Sequence, residues 1–173
     1  MPSQTPCDPA ALVGALAQVL FEVLPSEYQT HCTLTATVAR AALRRLGQDA
    51  TVVPCQVWMG TPGHSYVVGF VGAEPQPGKW DGHVVCLCGN QLLDAALHHF
   101  RREFGLQAPQ VSVAHLVGLP SQIIARQTLA DGATLKWVHP PPGSSTDFDP
   151  PPAALVDDLA ARLVNRLDGA HRP

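Results

Sequence analysis

Residues 79–97 read KWDGHVVCLCGNQLLDAAL. Two short apolar runs, HVVCLC and QLLD, flank Gly89-Asn90, a favourable two-residue turn for a β-hairpin. That turn makes Cys88 oppose Gln91 and, if the ladder continues without a bulge, Val85 oppose Asp94. Side chains alternate along a strand, so His83, Val85 and Leu87 share one face while Val84, Cys86 and Cys88 share the other. His83 and Asp94 are then diagonal neighbours on one face, with Cβ atoms about 7 Å apart or less. An imidazole and a carboxylate meet at that separation. A slip of one residue would turn Asp94 to the wrong face, so the register is itself a testable part of the reading.

The same alternation weakens a metal reading of this stretch. Zinc ligands converge on one point, and the strand sends His83 away from Cys86 and Cys88. The two cysteines read instead as small core residues. Asp94 has a second reading as the cap of a helix beginning near Ala95, and the two roles are compatible.

Working outward, period-two apolar runs recur in ATVVPCQVWMG (50–60) and HSYVVGFVG (64–72), with weaker examples in VSVAHLVG (111–118) and ATLKWVH (133–139). Helical spacing appears first after Asp8-Pro9, a cap followed by proline at the first helical position, with Leu12, Leu16, Val19, Leu20 and Val23 on a stripe that Pro25 closes. A second helix is expected from about Thr30 to Leu46, carrying Leu34, Val38, Ala42 and Leu46, with Gly47 where a left-handed cap belongs. Cys32 falls in its first turn. AALHHFRREFG (95–105) has helical spacing again, and HPPPGSSTDFDPPP (139–152) reads as a proline-rich linker or strap. A terminal helix after residue 152 places Leu155, Leu159, Leu163 and Leu167 on one stripe, for packing on this domain or for homodimer formation. Two helices followed by an antiparallel meander predict an α+β fold in which helices cover one face of the sheet and the second helix is the buried one. Residues 1–139 are expected to form the main domain, 140–152 the strap, and 153–173 the terminal helix.

At 173 residues the chain suits a single domain that buries about 70% of its unfolded surface. With eleven Lys and Arg scattered along it and a net charge of −3, it lacks the basic clustering that phosphate backbones require, so no nucleic-acid partner is expected. No segment approaches a membrane span, and the opening MPSQTPCDPA lacks the basic residues and apolar run of a signal peptide. Five cysteines without framework spacing suggest reduced thiols in a cytoplasmic setting. A cysteine in a polar position is therefore a candidate nucleophile.

Cys32 meets that description. The N-terminus of a helix favours a thiolate through its dipole and unpaired amides, more so beside an imidazolium, and here His31 and Thr33 make the surroundings polar. If the sheet packs against the second helix, His83 supplies the base, Asp94 orients it, and the Cys32 amide helps hold an oxyanion. Cys7 in a tail and Cys55 in a strand compete poorly. His64, which also follows a glycine at a strand start, is a rival base without an aspartate at hairpin distance. His115 is a remoter rival, and Asp81 replaces Asp94 only if its loop folds back. His98 and His99 are expected to face solvent rather than a metal, and Trp80 either shields the site or simply packs.

The order of Cys32 at a helix start, Gly82-His83 opening a strand and LLD closing the next at Asp94 resembles the transglutaminase-like branch of the papain-like cysteine enzymes. It is similar in the same way to the arylamine N-acetyltransferases. The likeness covers roughly residues 28 to 100, including the helix pattern HCTLTATVARAALRRLG. It implies a papain-like core and acyl transfer on a peptide or protein substrate through a thioester: Cys32 attacks, His83 moves protons and Asp94 orients His83, with no cofactor or metal. Papain-type enzymes carry an oxyanion glutamine upstream of the cysteine, a role that falls to Gln29, although it stands closer than in that pattern. The Arg-Gly-Gly stretch of the acetyltransferases is absent, which argues against that activity. Two alternatives from other classes are a catalytically silent interaction module, marked by an unreactive Cys32, and a metal-binding domain, marked by stoichiometric metal.

Overall fold

The computed structural model describes residues 8–72, 80–118 and 120–170. Its elements in chain order are α1 (Pro9–Val23), a 3-10 turn (Ser26–Tyr28), α2 (Cys32–Arg45), β1 (Ala50–Thr61), β2 (His64–Val68), β3 (His83–Cys88), β4 (Gln91–Asp94), α3 (His98–Phe104), β5 (Ser112–His115), β6 (Ile123–Thr128), β7 (Thr134–Val138) and α4 (Ala153–Ala170). Asp8 caps α1 by accepting from the Ala10 amide at 3.1 Å, with Pro9 in the first turn. The second helix begins at Cys32 rather than Thr30, because the preceding residues form the 3-10 turn. It ends at Arg45, followed by Gly47 at φ 78°.

All strand pairs are antiparallel, in the order β5-β4-β3-β1-β7-β6, with β2 hairpinned onto β1. β1 holds the sheet together: its first half pairs with β3, its second half with β2 and β7. A bridge between Leu116 and Ala125 brings the β5 end against the β6 end, so the sheet curls until it is nearly closed. The expected α+β class stands, with two differences. β6 is an additional strand that its polar sequence IIARQT hides, and β2 stops at Val68 because Gly69 (φ 82°) and Phe70 (φ 54°) turn the chain left-handed.

The curl creates two apolar clusters. The inner face carries Cys55, Val57, Met59, Val85, Leu92, Ala114, Leu135 and Trp137, with Leu97 and Phe100 added from the α3 segment. The outer face carries Val84, Cys86, Cys88 and Leu93 beneath α1, α2 and α4. Helix α2 lies in the middle of that layer and is buried nearly all round, from Leu34 to Leu43, as its apolar spacing predicts. Leu159, Leu163 and Leu167 of α4 are buried in the same layer with Val156 and Ala160. Three of the four leucines of that stripe thus pack in the chain's own core, one of the two uses the spacing allowed, and Leu155 is partly buried against it. Arg166 with Glu22 and Arg45 with Asp157 fasten α4 at its surface, at 2.7 and 2.9 Å. Among the described residues no helix is long and apolar enough to cross a membrane.

Candidate active site

His83 opens β3 on the inner face of the curl, and Asp94 closes β4 on the same face. The hairpin register is the one the Gly89-Asn90 turn dictates, Cys88 against Gln91 and Cys86 against Leu93. His83 Nε2 and Asp94 Oδ2 lie 2.9 Å apart, each residue 1% exposed. Asp94 also accepts from the Ala96 amide at 3.0 Å, so it caps the turn into α3 while holding the histidine. A third donor comes from far along the chain: Trp137 Nε1 reaches Asp94 Oδ2 at 2.7 Å. A buried carboxylate needs this saturation, because an unpaired charge in a low-dielectric interior is expensive.

Burial by itself would discharge the imidazole. The Asp94 charge and hydrogen bond override it, with a smaller contribution from Cys32, and push His83 up from 6.5 to about 10. Burial likewise opposes the Asp94 carboxylate, but the His83 charge and the three donors hold it below the usual carboxylate range. The pair is thus an ion pair at neutral pH, with Nε2–H donating to Asp94.

Cys32 arrives from the other side of the sheet. α2 packs against the outer face, whereas His83 points inward, so the two cannot meet through the sheet. They meet at its rim: Cys32 is the first residue of α2 and His83 the first of β3, and the Cys32 side chain lies close enough to the His83 ring to favour its charged form. The remaining ring nitrogen, Nδ1, is buried and has no hydrogen bond of regular geometry within the protein. In the charged ring it carries a proton, on the side away from Asp94. The first amides of α2, from Cys32 onward, precede the point where intrahelical bonding begins.

Gly69 holds His83 from above. A Cβ there would stand 2.9 Å from His83 Cβ, and φ is 82°, so glycine alone permits this approach. Gln56 Nε2 donates to the carbonyls of Gly69 and Phe70 at 3.0 and 3.2 Å, and Trp58 Nε1 donates to Gln56 Oε1 at 2.8 Å. Trp137, Gly69 and Gln56 are the parts that sequence reasoning missed. Alternation does place Trp137 with Leu135 on one face of a strand, but it does not say which strand lies alongside.

The other candidates fall away from the centre. Gln29 is a correction: its side-chain N–H groups donate to the Leu24 carbonyl at 3.0 Å and the Phe21 carbonyl at 3.5 Å, closing the end of α1 instead of facing Cys32. Trp80 packs edge-on to Phe70 and tilted against Phe148, and donates to the Ser145 carbonyl at 2.9 Å, which pins the strap across this end of the molecule. His64 is exposed beside Tyr66, His115 is bonded to Gln91, and Asp81 accepts from the Phe70 and Val71 amides. His98 and His99, expected in solvent, are half-buried, and the His99 ring stands edge-on to His83 with centroids 6.5 Å apart. Burial, together with the charge on His83, lowers His99.

Cys55 and Cys86 are core thiols. Burial above all, then Asp94 and Cys32, raises Cys55 well above its ordinary value, and burial pushes Cys86 up to about 12. Cys7 lies outside the described residues. Among the described residues no group of three or more His, Cys, Asp or Glu side chains converges as a metal site. Comparison with protein-family models, with curated proteins and with solved structures finds no match to this chain.

Proposed function

We propose that the protein is a cysteine-dependent amide hydrolase or acyltransferase, of the peptidase, deamidase or transglutaminase-like kind, built on a papain-like core and acting on a peptide or protein substrate. The observation that carries this reading is the buried His83–Asp94 ion pair, with one ring nitrogen bonded to the carboxylate and the other left beside a thiol at a helix N-terminus. A purely structural core seldom buries a charged pair, since apolar residues of equal volume stabilise as well or better.

In the proposed chemistry His83, already an imidazolium through its pairing with Asp94, holds its proton on Nδ1, and Cys32 reacts as the thiolate partner of that imidazolium. Sulfur attacks the substrate carbonyl carbon, a C–S bond forms, and the carbonyl oxygen takes the negative charge facing the α2 amides. Collapse breaks the C–N bond, and the departing amine takes the proton from His83. Water or a second amine then gives a proton back to His83 and attacks the thioester. Sulfur leaves as the thiolate while that proton stays on His83 Nδ1, which restores the starting pair and releases an acid or a new amide. Asp94 keeps the ring in one tautomer and one orientation throughout.

The test is alkylation by dilute iodoacetamide between pH 5 and 9, mapped cysteine by cysteine with mass spectrometry. Cys32 is expected to react first, and His83→Ala to slow it at pH 6 by at least about tenfold. A Cys32 that reacts like an ordinary peptide thiol, indifferent to His83, removes the support for catalysis and leaves an interaction module as the better reading.

A further inference from the structure

The three outer helices cover only part of the sheet. The apolar cluster beneath them includes Ala50 and Val52 of β1 and the outward residues of β3 and β4, and it holds no residue of β2, β6, β7 or the second half of β1. In that second half Cys55, Val57 and Met59 point inward, so by alternation Gln56 and Trp58 point outward, onto sheet that no helix covers.

The register draws one row of side chains across this open face. Val67 of β2 pairs with Trp58, Trp58 with Lys136 of β7, and Lys136 with Arg126 of β6. Trp58, Lys136 and Arg126 are all exposed, the tryptophan by 39%. The indole is held in one orientation, because its N–H donates to Gln56 Oε1 and Gln56 is itself bonded to the Gly69 and Phe70 carbonyls. Among the described residues neither cation has an ion-pair partner, and β1, β2, β6 and β7 carry no Asp or Glu. Asp131, in the turn between β6 and β7, accepts instead from the Ala133 amide. Like charges directly opposite each other on paired strands destabilise a sheet. The row therefore repels itself in the isolated chain, beside an exposed aromatic ring, and an anionic partner turns that repulsion into attraction.

We propose that the outer face around Trp58 docks an acidic peptide segment of a protein partner, with an apolar side chain resting on the indole and nearby carboxylates meeting Lys136 and Arg126. Strands lie about 4.8 Å apart, so the row from Trp58 to Arg126 spans about 10 Å, the length of roughly three extended residues. The matching segment thus carries Asp or Glu within that distance of an aromatic or large aliphatic residue. Two cations on a chain of net charge −3 are too few to track a phosphate backbone, whereas one or two carboxylates satisfy them. The row lies on the opposite face of the sheet from His83, and the inference stands whether or not Cys32 is a nucleophile.

The test titrates the isotope-labelled full chain with acetylated, amidated Glu-Glu-Phe-Glu-Glu, with its charge-reversed counterpart Lys-Lys-Phe-Lys-Lys, and with a single-stranded oligothymidylate. Shifts of the Trp58 indole and of the Lys136 and Arg126 amides are followed by NMR. The glutamate peptide should shift these signals saturably and bind about tenfold tighter than the lysine peptide, an advantage that high salt erodes. Trp58→Ala should weaken it by about fivefold. The double variant Lys136→Glu, Arg126→Glu, at exposed positions and with a dispersed spectrum to show that it folds, should invert the preference. No saturable shift at these residues up to about 5 mM peptide, or a preference that survives the charge reversal, overturns the proposal. Tighter binding of the oligothymidylate overturns it in favour of a nucleic-acid face. Shifts at the same residues that grow with protein concentration alone overturn it in favour of a second copy of the chain.

Discussion

Strand β3 shows two chemistries on its two faces. Inward, His83 is locked to Asp94 and charged; outward, Cys86 and Cys88 sit beneath the helices as neutral apolar fillers. All three are buried side chains capable of ionising, within six consecutive residues. What separates them is partnership. The inner face offers a carboxylate that is itself held by the Trp137 indole and the Ala96 amide, whereas the outer face surrounds the thiols with alanine, valine and leucine, and the charges of Arg40 and Arg44 do not offset the burial of Cys86. Burial discharges a group that has no strong partner and preserves a charge that has one, so of these three side chains only His83 stays charged.

The comparison is broken most severely at Asp94. Asp94→Ala leaves His83 buried beside uncompensated donors, and the unfolding free energy from urea titration should fall by about 3–5 kcal/mol. An unchanged midpoint would mean that the ion pair does not hold the two strands together.

The same pair imposes a pH dependence. His83 is raised from 6.5 to about 10, so its contribution to stability is complete below about 6.5 and is lost as pH climbs through about 10. Asp94 is held below 3.8, so its contribution is present above that value and is lost as pH falls beneath it. The stability of the native chain relative to a His83→Leu, Asp94→Leu double variant should therefore peak between roughly pH 4 and 6.5 and decline on either side. A difference that is level from pH 3 to 10 would remove the charged pair from the description.

Trp137→Phe keeps the ring and removes the N–H, which should cost about 1.5–3 kcal/mol, the range for a hydrogen bond to a charged group. It should also slow Cys32 alkylation, because Asp94 then holds the imidazole less firmly. Loss of stability with an unaltered alkylation rate would make Trp137 a packing residue alone. On the opposite face, Cys86→Ala should cost about 1 kcal/mol, the ordinary toll of a core truncation, and leave Cys32 alkylation as it was.

How far the site could be read depended on how local its geometry is. The His83–Asp94 contact was legible because a two-residue turn and the period of a strand determine it over twelve residues of chain. Helix α1 was legible from Asp8 and Pro9, and α2 from its spacing and Gly47, since caps and stripes are local signals. The oxyanion assignment to Gln29 failed for the converse reason: a position near Cys32 in sequence says nothing of whether the amide turns toward α1 or toward the thiol. β6 was hidden because its sequence carries little of a strand's apolar alternation, and its place comes from pairing with β7.

By itself, then, the sequence determined the hairpin register, the presence of the second helix with Cys32 in its first turn and the α+β class, all consequences of turn chemistry and periodicity acting over a few residues. Tertiary structure decided the rest. Curling the sheet put His83 and Trp137 inside and α2 outside, so that Cys32 and His83 approach only at the rim. It also brought the strap against Trp80, more than sixty residues away in the chain, through Ser145 and Phe148. Contacts of that separation arise from packing two faces of one sheet at once, and no local pattern in the chain encodes them.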